Sequence, residues 1–365
     1  MIARSPRQLL VTGVPGKTLD SETAARLRRL QPGGFILFGR NIESPPQLRK
    51  LVDDLRGLSA GEPVVTIDQE GGRVSRLRLI GNEPPSARQL CLRGEPELLR
   101  QHGELTGRLL RLFGFNLDLC PVLDIGFDDE ADNSLRGRCC GRDVAETIAN
   151  ARRFNDALRS EGVLSCGKHF PGYTFASVDP HHELPLVERS RRQLDDCELA
   201  VFRELAGEVD CMMSGHAGYP ALDDSGLPAS LSRAVVSDLL RGELGFAGAA
   251  MTDDLDMGAI LNTYGIEEAT RLAIEAGNDF VLICHRLEAV EAAATVVDGM
   301  GARLDQPLER IARLKRRLCA PDSFSEGKFW KLDKLVYDLR VATLGEEAAA
   351  RRSPEDGKRS PVELF

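Results

Sequence analysis

Short, nearly continuous apolar runs recur along the chain at residues 8–14, 34–38, 63–68, 115–121, 163–169, 209–216, 249–254 and 279–284. Longer amphipathic stretches separate them, at 21–30, 46–58, 95–113, 145–160, 191–206, 233–244, 266–276 and 287–300. Apolar strands alternating with helices imply a parallel sheet covered on both faces. Eight such units predict an α/β fold closed into a single (β/α)8 TIM-type barrel. An open doubly wound sheet shares this periodicity and is the alternative. Beyond Leu344 the composition turns polar and small. Residues 1–344 are therefore expected to form the barrel domain, and 345–365 a flexible C-terminal tail.

Polar residues cluster where these strands end. The third run ends in Asp68-Gln69-Glu70-Gly71-Gly72-Arg73, the fifth in Lys168-His169, the sixth in Ser214-Gly215-His216 and the seventh in Thr252-Asp253-Asp254. A barrel gathers the C-terminal ends of its strands around one pocket, so these groups predict a single site. Neighbouring residues of a strand point to opposite faces, so only one of Asp253 and Asp254 can face that pocket. The other is expected to cap the helix starting in 255–261 or to support the first. After Lys168-His169-Phe170-Pro171-Gly172 comes Asp179-Pro180-His181. A carboxylate beside an imidazole orients the ring and stabilises its protonated form, which makes a proton shuttle. A polar surface loop is the plain alternative. A fixed carboxylate nucleophile with a separate proton donor is the arrangement of a retaining glycosidase, here with an imidazole in place of the usual second carboxyl. A metal held by His169, His181, His182 and His216 with Asp68 or Asp253 is the rival chemistry. The absence of i, i+4 helix spacing and the adjacency of His181 and His182 speak against it. Gly71-Gly72 lacks the spacing of a phosphate loop, so neither a metal nor an organic cofactor is expected.

The balance of 47 Lys and Arg against 56 Asp and Glu leaves a net charge of −9, which argues against a nucleic-acid surface and offers no basic patch for membranes. Nine scattered cysteines, with no CxxC and several inside apolar runs, suit reduced thiols in a cytoplasmic protein. No apolar run approaches the roughly 18 residues of a membrane span.

Ile67-Asp68-Gln69-Glu70-Gly71-Gly72-Arg73-Val74-Ser75-Arg76 resembles the IDQEGGRVxR segment of glycoside hydrolase family 3. The run Phe115-Asn116-Leu117-Asp118-Leu119-Cys120-Pro121-Val122-Leu123-Asp124 resembles that family's strand ending APVLD, and 162–172, 228–232 and 244–255 match in order. The resemblance spans roughly residues 8 to 320. Asp179-Pro180-His181 is similar to the DSH of the family's bacterial β-N-acetylglucosaminidase branch. This resemblance implies a retaining exo-β-N-acetylglucosaminidase that trims terminal sugars from cell-wall or related glycosides in the cytoplasm, with a small carbohydrate as its partner. It assigns Asp253 as the nucleophile, His181 as the acid/base and Asp179 as the group that tunes it. Asp68, Arg76, Arg138, Lys168 and His169 would hold the terminal sugar. Arg138 comes from Leu135-Arg136-Gly137-Arg138-Cys139-Cys140-Gly141-Arg142-Asp143, which resembles the family's IGxRSFGxD more loosely.

The loop before the dyad departs from the family. Where the family reads KHFPGHGDT, this chain reads Lys168-His169-Phe170-Pro171-Gly172-Tyr173-Thr174-Phe175-Ala176. The loop loses a glycine hinge and a charge and gains two aromatic rings, while the spacing from Lys168 to His181 is kept. A stiffer or differently docked loop is expected, with Tyr173 or Phe175 packing on sugar or aglycone. The family also contains phosphorolytic enzymes and β-glucosidases, and a sugar-binding homologue with impaired turnover is the non-enzymatic alternative.

Overall fold

The computed structural model describes residues 5–127, 134–176 and 178–353. The apolar runs become eight barrel strands: β1 (Leu10–Gly13), β2 (Gly34–Leu37), β3 (Val64–Ile67), β4 (Leu117–Asp118), β5 (Leu164–Phe170), β6 (Cys211–Ser214), β7 (Ala249–Asp254) and β8 (Phe280–Ile283). They pair in sequence order and close, β8 returning to β1 in parallel with Leu10 opposite Val281. That closure excludes the open sheet. Nearly every strand residue is buried, because side chains on one face fill the barrel and those on the other pack under the helices.

The amphipathic stretches form the outer ring. Their starts are set by side-chain caps: Asp20 accepts from the Thr23 N–H, Ser44 and Gln47 form a capping box, and Asp143 accepts from the Glu146 N–H. Residues 191–206 break into two helices, Arg191–Asp195 and Glu198–Leu205. The second places buried Glu198 directly beneath Gly172. That glycine has φ +100°, and a Cβ on it would lie 2.9 Å from the Glu198 Cβ, so only glycine fits where the chain leaves β5.

After the ring is complete, a long helix, Glu326–Leu344, lies across the side of the barrel. Phe329 buries its ring 5.5 Å from that of Phe113, and Asp333 accepts from the N–H and side-chain amide of Asn82 at 2.6 Å each. The segment read from sequence as a tail begins at 345. Its described part includes a short helix, Glu346–Ala349, and Ser353, whose N–H donates to Glu83 at 3.1 Å. Residues 354–365 lie outside the described residues. No described helix is long and apolar enough to cross a membrane.

Candidate active site

The strand ends converge. From β3, the short hairpin Gln69–Gly71 with Val74–Ser75 turns the chain so that Asp68 and Glu70 face the same Lys168 ammonium. Lys168, buried at the end of β5, donates to Asp68 at 2.7 Å and lies 2.6 Å from Glu70. Arg138 clamps Glu70 through two bonds of 2.8 Å, and Arg76 lies 3.6 Å from the other Asp68 oxygen. Burial alone would raise the Glu70 pKa, but the Arg138 and Lys168 charges overturn this and hold it well below the usual carboxylate range. Burial would likewise depress Lys168, and Asp68 and Glu70 instead push it up. The result is a rigid polar cradle with fixed charges.

His169 links this cradle to the rest of the site. Its Nδ1 donates to Asp124 at 2.7 Å, its backbone N–H donates to the same oxygen at 3.0 Å, and its Nε2 lies 3.4 Å from Arg138. The other Asp124 oxygen accepts from the Tyr173 N–H at 2.9 Å. Asp124, six residues beyond β4, thus fixes both an imidazole and the start of the loop that leads to the dyad.

Asp253 and Asp254 diverge as strand geometry requires. Asp254 turns to the end of β8, accepting from the Cys284 N–H at 3.1 Å and lying 3.1 Å from His285 Nε2. It is a supporting partner and not a helix cap; the following helix, Gly258–Leu261, starts later, with Met257 at its N-cap position and no side-chain cap. Asp253 faces the pocket. Burial would raise its pKa, but the imidazoles of His216, His169 and His181 outweigh burial and hold it below the ordinary carboxylate value. His216 is buried, with Nε2 donating to the Asp254 carbonyl at 2.9 Å and Nδ1 2.7 Å from the Ser230 hydroxyl. Both ring nitrogens are occupied, so His216 supports the end of β7 and is not free to shuttle protons.

The dyad is formed. His181 Nδ1 lies 2.5 Å from Asp179, whose same oxygen accepts from the His181 N–H at 3.0 Å. Burial opposes ionisation of Asp179, and its bond to His181 wins, lowering its pKa. With Nδ1 engaged, Nε2 is the nitrogen left to face a substrate. The loop is docked at both ends. Ile125 N–H donates to the Thr174 hydroxyl at 3.1 Å, and the Tyr173 hydroxyl meets that of Ser134 at 3.1 Å. Beyond the dyad, Gly258 N–H donates to the His181 carbonyl at 3.0 Å and Ala259 N–H to that of Pro180 at 3.2 Å.

The structure brings Asp68, Arg76, Arg138, Lys168 and His169 together in the cradle and sets Asp253 within electrostatic reach of His169 and of the His181–Asp179 dyad, whereas His182 is exposed. Glu70, Asp124 and Ser230 were not given roles there. Glu70 stands two residues from Asp68, the spacing that keeps side chains on one face, so its signal was present. Ser230 carries no local signal. Among the described residues no three His, Cys, Asp or Glu side chains are grouped to hold a metal ion.

Comparison with known proteins agrees with this geometry. The family model described as the glycosyl hydrolase family 3 N-terminal domain matches residues 2–314. The chain belongs to glycosyl hydrolase family 3. It is a glycosidase. A β-hexosaminidase of Alkalilimnicola ehrlichii is 36% identical over 299 residues, covering 78% of this chain and 82% of the relative. A family 3 β-N-acetylglucosaminidase from Paenibacillus superposes with a TM-score of 0.86 at 32% identity, covering 94% of this chain and 69% of that one. NagZ from Neisseria gonorrhoeae superposes with a TM-score of 0.77 at 28% identity, covering 95% and 99%.

Proposed function

We propose that this family 3 glycosidase is a retaining exo-β-N-acetylglucosaminidase acting on cell-wall or related glycosides in the cytoplasm. The observation that carries the mechanism is the pairing of an ionised Asp253 with a His181–Asp179 dyad that hangs from the segment immediately following the nucleophile's strand. The sugar assignment rests on the names of the relatives. Asp253 attacks the anomeric carbon while His181 Nε2 gives its proton to the departing glycosidic oxygen, leaving a glycosyl ester on Asp253. The same nitrogen, now a base, takes a proton from water as its oxygen attacks the anomeric carbon. This releases the sugar with its β configuration and restores both residues. Asp68, Lys168, Arg138, His169 and Arg76 form the polar cradle for the terminal sugar. Its charges are already paired, so little reorganisation accompanies binding.

The test is hydrolysis of aryl β-N-acetylglucosaminides by the wild type beside Asp253→Ala and His181→Ala. Activity is expected to collapse in Asp253→Ala. In His181→Ala it is expected to fall by roughly 10²–10⁴-fold for poor leaving groups and far less for good ones. Equal losses for all leaving groups would remove His181 from the acid role. Faster release in added phosphate would convert the reading to phosphorolysis, and faster cleavage of a plain glucoside would overturn the sugar assignment.

A further inference from the structure

We infer that the exposed ring pair Phe127 and Phe175 is the seat of the leaving group, and that the leaving group it suits is a second pyranose laid on the rings by its C–H face. This rests on the function proposed above. The acid protonates the glycosidic oxygen, so the leaving group must extend from the bound sugar toward the loop that carries His181. Phe175 is on that loop, six residues before His181. It also lies two residues beyond Tyr173, whose ring is 4.7 Å from that of His169. Two residues span at most about 7 Å, which places Phe175 at the margin of the sugar cradle.

The other aromatic rings of this face, Phe170, Tyr173 and Tyr219, are buried, whereas Phe127 and Phe175 remain 41% and 39% exposed. Partly exposed apolar rings beside a polar pocket are the informative exception to burial. The two rings sit 5.1 Å apart at 32°. They are held in place: the Thr174–Ile125 bond joins their two segments, and the Arg189 guanidinium covers one face of Phe175 at 3.9 Å from the ring centre. Such a platform is preorganised and apolar, framed by the polar cradle. A pyranose presents the matching chemistry, a C–H face with hydroxyls around its edge.

The experiment compares two substrates of the full chain that share the terminal N-acetylglucosamine and whose leaving groups are both unactivated alcohols, which depart only once protonated. One is the β-1,4 disaccharide of N-acetylglucosamine and the other the methyl β-glycoside. Both need protonation by His181, so the change in the ratio of their kcat/KM values between the wild type and a ring variant reports the contact with the second ring. Phe175→Ala and Phe127→Ala are each expected to lower that ratio about two- to tenfold, the size of one lost aromatic contact, and Phe175→Tyr to keep it. Phe127 lies outside the acid/base loop, so its variant separates a lost contact from a displaced imidazole. A wild-type ratio in Phe127→Ala, whatever Phe175→Ala does, overturns the inference. No cleavage of either substrate by the wild type removes the proposed function first, and this inference with it.

Discussion

Glu70 accepts three charged contacts, two from Arg138 and one from Lys168, and its neutralisation would leave two buried cations short of an acceptor. Removing one partner of a buried ionic network costs about 3–5 kcal/mol. Glu70→Gln keeps the shape and removes the charge, so urea unfolding should show a loss of that order. KM for the aryl glycoside should rise, because Lys168 and Arg138 are no longer fixed. The pH dependence has a definite sign. Glu70 is depressed in the folded state, so its stabilisation is fully present above the ordinary carboxylate pKa of about 4.3. It is lost progressively as pH falls from there to the lower folded value. The wild type should therefore outlast Glu70→Gln at neutral pH by a margin that begins to shrink below the ordinary carboxylate range; a margin independent of pH would show that the charge is not the cause. At this scale the divergence of Asp253 from Asp254 and the pairing of His181 with Asp179 were legible because each rests on local strand or loop chemistry. Glu70 was half legible, its position plain and its partners not.

The loop from Gly172 to Glu183 acts as one element strung between two anchors. Its first described residues dock on Asp124, Ile125 and Ser134 and its last on 258–262, where Asn262 also donates to the His182 carbonyl at 2.8 Å. The expectation of a differently docked loop followed from the lost glycine and the gained rings. The structure divides the two rings: Tyr173 is buried against His169, and Phe175 is exposed at the rim. Sequence cannot make that division, because the deciding partners Ser134, Ile125 and Arg189 belong to other segments. Gly258 is where the second anchor is tightest. A Cβ there would lie 2.4 Å from the His182 carbonyl oxygen and 2.8 Å from that of His181, both backbone atoms that must move to admit it. Gly258→Ala should therefore displace the dyad while leaving the barrel folded. Displacements near 1 Å in a reacting group can lower rates by up to about 10²-fold. The loss should appear for poor leaving groups, as with His181→Ala, while thermal unfolding stays close to wild type. An equal loss for good and poor leaving groups would place the damage at Asp253 instead.

The whole molecule is a barrel that repeats its strand–helix unit eight times and then adds a brace. The repeating part was legible, since each unit carries its own apolar period; seven strands fall within the runs read from sequence, and β5 runs one residue past its run, to Phe170. The brace was not, because its contacts join the end of the chain to the segment after β3. Its key residue is Arg340, whose guanidinium donates to the Glu83 carboxylate at 3.0 Å, the Glu83 carbonyl at 3.2 Å and the Ala349 carbonyl at 3.1 Å. Glu83 also holds Arg78 at 3.1 Å, and Arg78 shares the short helix Arg76–Leu79 with the cradle's Arg76. Residues 340–353 are thereby tied through Glu83 to the short helix that carries Arg76, a group proposed to hold the sugar. Arg340→Met fills the space and removes the donors, leaving the Glu83 carboxylate with Arg78 and Ser353 and depriving the Glu83 and Ala349 carbonyls of this partner. The expected cost is about 3–5 kcal/mol, read from urea midpoints. Amide exchange should accelerate in 76–86 and 345–353 together, since both lose the same anchor. If the brace positions Arg76, KM for the aryl glycoside should also rise more than kcat falls. Exchange that quickens only in 345–353, with KM at its wild-type value, would mean that the brace secures the end of the chain alone and that the cradle holds its shape without it.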